Sequence, residues 1–257
     1  MNIRLPWRDR LFAAFIFFTR LPFWRIHQPR KEAYETVVEL WPLTGWLTAG
    51  CMAATLYFGS FIVPTALAAM AAIIVRILIT GALHEDGLAD FIDGFGGGGT
   101  DRKRILDIMK DSHIGTYGVV GLILYFMLLH QSLTILPPRI TALMILAADP
   151  FFKMMTAQLI QMMPYARTAE TAKGQVVYRK ISIKAGLLLL IQGTLPAIGL
   201  WYFAGLPYLG IAMPALVFYL LYLLMHRRIN GYTGDCCGAV FLLTELTFYL
   251  TYITLNS

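Results

Sequence analysis

Acidic residues are concentrated in one stretch of the chain, residues 84–112, whose sequence is HEDGLADFIDGFGGGGTDRKRILDIMKDS. This stretch holds seven of the protein's fifteen Asp and Glu residues. Five of its aspartates recur at helical spacing, three before a glycine run and two after it: Asp86, Asp90, Asp93, Asp107 and Asp111. Residues at i, i+4 and i+7 share one face of a helix, so the pattern predicts two short helices with acidic faces turned toward each other. Carboxylate oxygens are preferred ligands of Mg²⁺, and the sequence therefore predicts a site for paired Mg²⁺ ions.

The same stretch has a second interpretation, in which the acids belong to a solvated loop. Helix surfaces more often carry Glu than Asp, because Asp is the poorer helix former, and this favours the metal interpretation. The glycine run at residues 96–99 also leaves two alternatives open. It forms a flexible turn between the helices, or it lets backbone amides approach a phosphate group, which glycine permits because it has no side chain.

Basic residues lie beside these acids and in a later segment. Lys110 directly precedes Asp111 and is the predicted phosphate contact of the acidic stretch. The segment 164–184 contributes Arg167 and Lys173, which either grip anionic substrate groups or attract lipid headgroups. Asp235, at the start of the last apolar segment, is a further candidate for contact with a bound group.

The composition places these residues in a membrane protein. Of the 257 residues, 58% are hydrophobic and 14% are charged, whereas soluble domains carry about 25% charged residues. The net charge of +6 is explained by membrane topology and anionic lipid headgroups, and no nucleic-acid-binding motif accompanies it. Two of the three cysteines are adjacent, which predicts free thiols rather than a disulfide framework.

The expected fold is an all-α bundle that forms a single integral membrane domain over residues 1–257. Seven segments are long enough to cross roughly 30 Å of hydrocarbon. They cover residues 37–59, 61–83, 116–136, 140–163, 184–205, 207–225 and 238–255. The apolar run 11–18 is too short to cross and predicts an N-terminal interfacial helix. The acidic stretch then adds short helices at the membrane surface.

Lys and Arg are distributed unequally between the two sides of this arrangement. Eighteen of the 21 basic residues fall on the side of the N-terminus and the acidic stretch, and only Arg139 falls on the other. Cytoplasmic loops of membrane proteins carry the excess of positive charge. The acidic stretch is therefore expected at the cytoplasmic face of the membrane.

Several charged residues lie within the predicted spans, where an unpaired charge is costly. Asp149 and Lys153 have i, i+4 spacing and are predicted to pair on one helix face. Arg76 is expected to neutralise a carboxylate near it. Glu245 lies deep in the last span and requires a partner or a role of its own.

Three motifs, in this order, give the chain a specific resemblance. They are HEDGLADFIDG at residues 84–94, LDIMKDSHIGTYG at 106–118 and GYTGDCCGA at 231–239. Together they resemble the bacterial cobalamin synthase family, the adenosylcobinamide-GDP ribazoletransferases. FTRLPF at residues 18–23, WPLTG at 41–45 and PYAR at 164–167 are similar to further landmarks of that family, so the likeness extends over most of the chain.

The resemblance implies an enzyme of the bacterial inner membrane that uses Mg²⁺. It would join adenosylcobinamide-GDP to α-ribazole or its 5′-phosphate and release GMP. The family pattern maps the acidic active-site positions to Asp86, Asp90, Asp93 and Asp111, and Asp235 to the aspartate of the TGD element. Membrane lipid is the expected surrounding, and the sequence leaves open whether the chain forms a homo-oligomer.

These residues give a mechanistic hypothesis. Two Mg²⁺ ions held by the five aspartates bridge the diphosphate, Asp93 or Asp111 accepts the proton of the attacking ribazole hydroxyl, and Lys110 with Arg167 steadies phosphate oxygens. Two alternatives remain. The spacing of Asp90, Asp93, Asp107 and Asp111 is similar to the metal signature of CDP-alcohol phosphotransferases, and spans with internal charges can also form a cation or corrinoid transporter.

Overall fold

The computed structural model describes residues 5–167, 177–205 and 208–256, and within these residues the fold is helical with no β-strand. The helices, in chain order, are α1 (Trp7–Phe18), α2 (Trp41–Gly59), α3 (Thr65–Thr80), α4 (Leu83–Gly97), α5 (Arg102–Ile108), α6 (Thr116–Ile135), α7 (Pro138–Ala157), α8 (Leu159–Met162), α9 (Ile183–Ala204), α10 (Tyr208–Ile229) and α11 (Gly234–Asn256). Two 3-10 segments, Phe23–Arg25 and Lys31–Leu40, connect α1 to α2. The predicted all-α class is confirmed.

Five helical segments of the described residues are long and apolar enough to cross a membrane: Thr116–Ile135, Pro138–Met162, Ile183–Ala204, Tyr208–Ile229 and Gly234–Asn256. A sixth span results only if α3 and α4 are taken together, although they are bent by 90° relative to each other. The predicted count of seven is therefore not confirmed. The segment 37–59 begins inside a 3-10 segment, and the threonines and glycines of α2 lower its hydropathy.

The bend between α3 and α4 arises from two residues in the left-handed region. Gly81 has φ +65° and Ala82 has φ +56°. Only glycine adopts this conformation without steric cost, so Gly81 ends α3 and turns the chain. A Cβ at Gly81 would also lie 2.3 Å from Arg20 Nε, because the segment after α1 packs against this turn. The bend therefore sets the direction of α4, which carries the first three aspartates.

The helices form a bundle in which α2, α7 and α11 lie at the centre and α6, α9 and α10 lie outside. The apolar windows of α7 and α11 are mostly buried, whereas those of α6, α9 and α10 are mostly exposed. Exposed side chains on the outer helices are large and apolar, as in Leu187, Ile191 and Leu220. A surface of this kind suits contact with lipid tails, and the chain is a polytopic helical membrane protein.

The N-terminal helix α1 covers the predicted interfacial run and is 12 residues long, too short to cross a bilayer. Two polar contacts attach it to the following segment. Asp9 Oδ1 lies 2.6 Å from His27 Nε2, and Arg10 pairs with Glu39 of the second 3-10 segment. The His27 hydrogen bond holds the pKa of Asp9 below its ordinary value. Charge pairing thus fixes α1 against the start of α2.

Buried charges within the bundle are paired, as expected from the sequence. Lys153 Nζ lies 2.6 Å from Asp149 Oδ1 on α7, which confirms the i, i+4 pair. Thr48 of α2 donates a hydrogen bond of 2.8 Å to the same carboxylate. Arg76 of α3 donates a hydrogen bond of 2.7 Å to Glu245 of α11. The two buried charges therefore neutralise each other, as the sequence required of both residues. The three cysteines are free thiols, as predicted.

Candidate active site

Three helices begin around one cavity. The N-terminal residues of α2, α4 and α11 surround a space of about 260 Å³. Its lining comprises Phe17, Phe18, Val38, Trp41, Leu83, His84, Asp86, Tyr165, Arg167, Tyr178, Gly234, Asp235, Cys237 and Gly238. The N-terminus of a helix carries partial positive charge and unpaired amides, so three such ends favour an anionic group nearby. Asp86, Arg167 and Asp235, each selected from the sequence, line this same space.

Close packing of α4 on α11 brings the two carboxylates together. At Gly87 of α4, an added Cβ would lie 3.0 Å from Asp235 Cα, and at Gly238 of α11 it would lie 3.0 Å from the His84 carbonyl oxygen. A side chain at either position would require the two backbones to separate by a few tenths of an ångström. The glycines of HEDGLAD and CCGA are therefore packing residues, and they place Asp86 and Asp235 at one cavity.

Arg167 is held between this cavity and a second pocket. Its Nη1 lies 3.7 Å from Asp235 Oδ2, and its Nη2 donates a hydrogen bond of 3.2 Å to the Leu106 carbonyl oxygen. The preceding residues are fixed because the Ala166 amide donates to Tyr232 O over 2.8 Å. Arg167 therefore links the start of α11 to α5 and has a defined position.

The second pocket is wider and more basic. It measures about 600 Å³ and is lined by Asp101, Arg102, Lys103, Leu106, Asp107, Lys110, Ala166 and Arg167. Asp101 caps α5 by accepting hydrogen bonds from the Lys103 and Arg104 amides. The predicted phosphate contacts Lys110 and Arg167 thus face one pocket together with Asp107. Charged side chains of both signs are found where phosphate oxygens are bound.

Asp93 holds the N-terminus of α6. Its Oδ2 accepts a hydrogen bond of 2.7 Å from the Gly115 amide, and its Oδ1 accepts one of 2.9 Å from the Gly118 amide. Added Cβ atoms at Gly115 and Gly118 would lie 2.5 and 2.4 Å from this carboxylate. The glycines of HIGTYG therefore leave the space that Asp93 fills. This helix-capping role was not anticipated from the sequence.

Asp111 lies beyond the end of α5, which stops at Ile108. The prediction that Asp107 and Asp111 share one short helix is therefore wrong, because α5 is too short to include Asp111, which is joined to Asp107 only by a single turn hydrogen bond of 3.2 Å from its amide to the Asp107 carbonyl oxygen. Asp111 is exposed and its Oδ1 lies 2.7 Å from His113 Nδ1. Hydrogen bonds from the His113 side chain and amide hold the pKa of Asp111 below its ordinary value. A carboxylate with a lowered pKa is a weaker base.

The five aspartates do not form one cluster. Asp86 and Asp90 are one turn apart on α4, and Asp90 is half-buried. Within residues 5–167, 177–205 and 208–256, no three His, Cys, Asp or Glu side chains are grouped so as to hold a metal ion. Lys173, a predicted binding residue, lies outside the described residues. The structure thus brings Asp86 and Asp235 to one cavity and Asp107 to the neighbouring pocket.

An aromatic wall completes the cavity and was missed in the sequence. The rings of Phe18 and Trp41 stack with centroids 5.1 Å apart, and those of Trp41 and His84 with centroids 5.8 Å apart. These side chains come from three segments that are far apart in the sequence: the end of α1, the start of α2 and the start of α4. The motifs FTRLPF, WPLTG and HEDGLAD contain them, so co-occurrence of the motifs was the only available signal.

The fold and the site define a polytopic helical membrane protein whose carboxylates and cationic side chains face two adjoining pockets, a combination used in phosphoryl transfer. The family model for cobalamin-5-phosphate synthase matches residues 10–253, and the chain belongs to this family.

Curated relatives agree with this family over nearly their whole length. The chain is 34% identical over 252 residues to the adenosylcobinamide-GDP ribazoletransferase of Leptospira interrogans, covering 94% of each chain. It is 35% identical to the enzyme of that name from Shewanella woodyi, covering 93% of each chain. For the one from Vibrio parahaemolyticus the identity is 33%, covering 93% of this chain and 90% of the relative. No solved structure matches.

Proposed function

We propose that the protein transfers the adenosylcobinamide phosphate group from adenosylcobinamide-GDP to α-ribazole or its 5′-phosphate, with release of GMP. Membership of the cobalamin-5-phosphate synthase family and the names of the relatives support this activity. The main structural support for this activity is the position of Arg167. This guanidinium lines both the cavity that contains Asp86 and Asp235 and the basic pocket next to it.

The basic pocket is the proposed site of the diphosphate. Lys103, Lys110 and Arg167 line it and offer the positive charge that phosphate oxygens require. When the bond between the cobinamide phosphate and GMP breaks, negative charge develops on the departing phosphate. Cationic side chains fixed near that phosphate stabilise this charge and lower the barrier.

The proposed nucleophile is a ribazole hydroxyl, whose oxygen forms the new bond to phosphorus as the bond to GMP breaks. A carboxylate must accept the hydroxyl proton. Asp86 is exposed at the cavity and is the proposed base. Asp93 and Asp111, the bases suggested by the sequence, already accept hydrogen bonds from backbone amides and His113, respectively, and remain weaker candidates.

Mg²⁺ is the proposed cofactor. Mg²⁺ binds through one or two carboxylates, several waters and substrate phosphates. Asp235 in the cavity would fit this requirement, with Asp90 of α4 as a further ligand, and Asp86 would then stay uncoordinated to act as the base. When bound, the ion would neutralise charge on phosphate oxygens. Additional coordination by Asp93, Asp107 or Asp111 stays a proposal. Removal of divalent ions with a chelator should abolish turnover, and added Mg²⁺ should restore it.

The proposed location is the bacterial inner membrane, with both pockets facing the cytoplasm. Support comes from the charge distribution, since the seven-span arrangement expected from the sequence would place eighteen of the 21 Lys and Arg residues on the side of the acidic stretch. The substrates of the proposed reaction are charged and water-soluble. A cytoplasmic opening would let them reach the site without crossing the bilayer.

The test is GMP release by the purified protein with Mg²⁺, adenosylcobinamide-GDP and α-ribazole. Asp86→Asn should lower the rate by about 10²- to 10⁴-fold, the usual contribution of a general base. Glu32→Gln, which changes an exposed acid far along the chain, should leave the rate unchanged. A wild-type rate in Asp86→Asn would remove the assignment of the base. Release of CMP from a CDP-alcohol, or flux across vesicles without product, would instead support the alternative functions.

A further inference from the structure

The chain folds back along α1 directly after that helix ends. Phe23 packs on Phe12 and Phe15 of α1, with ring centroids 6.2 and 5.0 Å apart. Further along, the ring of His27 contacts Phe12 with centroids 5.3 Å apart, and its Nε2 lies 2.6 Å from Asp9 Oδ1. Residues 7–30 therefore consist of a helix and a returning segment that pack on each other through aromatic rings, and we call them the N-terminal hairpin.

The surface of the N-terminal hairpin exposes large apolar side chains. Trp7 is 66% exposed, Trp24 45% and Ile26 63%. Tryptophan is enriched where membranes meet water, because its ring is mostly apolar and carries one polar N–H group. This surface is therefore suited to the boundary between lipid headgroups and acyl chains.

Positive charge dominates the same hairpin. Residues 7–30 contain five arginines and one acid, Asp9. Asp9 already contacts His27 and Arg30, and Arg10 pairs with Glu39. Three arginines remain exposed and have no carboxylate within ion-pair distance among the described residues: Arg8, Arg20 and Arg25. These three cations are available to an anionic partner.

Arg20 fixes the depth of the hairpin relative to the membrane. Its amide donates a hydrogen bond of 2.7 Å to the Ile79 carbonyl oxygen, and its side chain lies against Gly81 at the end of α3. One and two turns before this glycine, Leu78 is 69% exposed and Ile74 is 48% exposed. Exposed apolar side chains of a membrane protein contact acyl chains, so Arg20 lies where the acyl chains end and the headgroups begin. At this depth its guanidinium meets phosphate groups.

A second copy of the chain is a poorer occupant for this surface than lipid. In a symmetric dimer formed through the hairpins, the same unpaired arginines of both copies would face each other, and like charges repel. Anionic lipids supply phosphate groups and acyl chains together, and so match both the cationic and the apolar side chains. Guanidinium groups also bind phosphate oxygens in a bidentate manner. The charge of the hairpin therefore favours lipid.

We propose that the N-terminal hairpin binds anionic phospholipids of the surrounding membrane. The three unpaired arginines contact the headgroups, while Trp7, Trp24 and Ile26 lie between the headgroups and the acyl chains. The helix of the hairpin also supplies Phe17 and Phe18 to the lining of the cavity. The lipid contact therefore adjoins the candidate active site.

Quenching of tryptophan fluorescence by brominated lipids tests this binding. The full-length protein is reconstituted into vesicles of phosphatidylcholine and phosphatidylglycerol, in which only one of the two lipids carries bromine near the carbonyl end of its chains. The signal of Trp24 is the difference between the wild type and Trp24→Phe. An arginine near an anionic surface strengthens attraction about fivefold, so brominated phosphatidylglycerol should quench Trp24 at a mole fraction about fivefold or more below that of brominated phosphatidylcholine.

Trp201 near the end of α9 is the matched control. It is 64% exposed, and no Asp, Glu, Lys or Arg occurs in residues 185–226 around it. Its signal is obtained in the same way from Trp201→Phe. Both brominated lipids should quench Trp201 equally, because no cation near it attracts the anionic headgroup.

Charge substitutions at two of the arginines complete the test. Arg20→Gln with Arg25→Gln should abolish the lipid preference at Trp24, whereas Arg20→Lys with Arg25→Lys should keep most of it, because lysine retains the charge. Salt at about 1 M, where the screening length is about 3 Å, should also weaken the preference. Quenching of Trp201 should stay the same in both double variants, which separates a loss of charge from a loss of folding.

Two kinds of result would overturn the proposal. One is equal quenching of Trp24 by both lipids in the wild type, or a preference that survives both glutamine substitutions. The other is a lack of quenching of Trp24 by either lipid, which would indicate that an acidic protein covers the hairpin instead. Because quenching needs no turnover, the result is independent of the proposed function.

Discussion

Single aspartates in the acidic stretch differ in what their carboxylates contact. Asp93 accepts hydrogen bonds from backbone amides at the start of α6, Asp111 contacts His113, and Asp86 lines the cavity. The residue type is the same in each case, so the difference in contacts comes from the segments that pack on α4 and from where α5 ends. At the residue scale, a carboxylate that fixes a helix end contributes to stability, whereas one that faces a cavity is available to a ligand.

The contact of Asp93 with α6 gives a prediction for Gly118. An alanine Cβ there would lie 2.4 Å from Asp93 Oδ2 and 3.1 Å from the Ala89 carbonyl oxygen, so the Asp93 hydrogen bonds must break or α6 must shift. Gly118→Ala should lower the free energy of unfolding by about 1–3 kcal/mol, as for other overpacked sites. Unfolding in mixed micelles with increasing SDS measures it.

Gly97→Ala is the control for this substitution. The added Cβ would lie 3.6 Å from Ile108 Cδ1, which is ordinary van der Waals contact. Gly97 is the last residue of α4, the helix that carries Asp93. We expect stability equal to that of the wild type. Equal losses in the two variants would show that the Asp93 contact does not explain the intolerance at Gly118.

At the scale of helices, α3 and α11 are joined by a buried ion pair. Arg76 is 2% exposed, donates to Glu245 and to the Tyr125 hydroxyl, and lies 3.8 Å from Glu85 of α4. Tyr249 donates a further hydrogen bond of 3.0 Å to Glu245. Removal of one partner leaves the other charge buried, which costs about 3–5 kcal/mol. Arg76→Met should therefore destabilise the protein strongly in SDS unfolding.

The double variant Arg76→Met with Glu245→Gln separates this cause from a loss of packing. If the buried charge of Glu245 is the main cost, the second substitution should recover a large part of the lost stability. Arg227→Met, at an exposed position near the end of α10, should have little effect. A double variant that is less stable than Arg76→Met alone would contradict this account.

For the whole molecule, apolar periodicity and charge pairing predicted the helical fold and the intramembrane pairs. Motif order predicted the family and brought Asp86, Arg167 and Asp235 into consideration. The aromatic wall was not predictable, because Phe18, Trp41 and His84 come from three segments and their stacking depends on the 90° turn at Gly81 and Ala82. The capping role of Asp93 was missed for the same reason, since Gly115 and Gly118 approach it only through tertiary packing.

The orientation of the whole bundle gives the last prediction. If α2 and α3 cross as a hairpin, Ser60 between them lies on the same side as Arg139, opposite to Lys103 of the basic pocket. In intact cells, an impermeant maleimide should label Ser60→Cys and Arg139→Cys but not Lys103→Cys. In inverted membrane vesicles, only Lys103→Cys should react. The parental chain provides the background from its own three cysteines. Labelling of Lys103→Cys from outside the cell would contradict a cytoplasmic site, and labelling of Ser60→Cys from the cytoplasmic side would show that α2 and α3 do not cross as a hairpin.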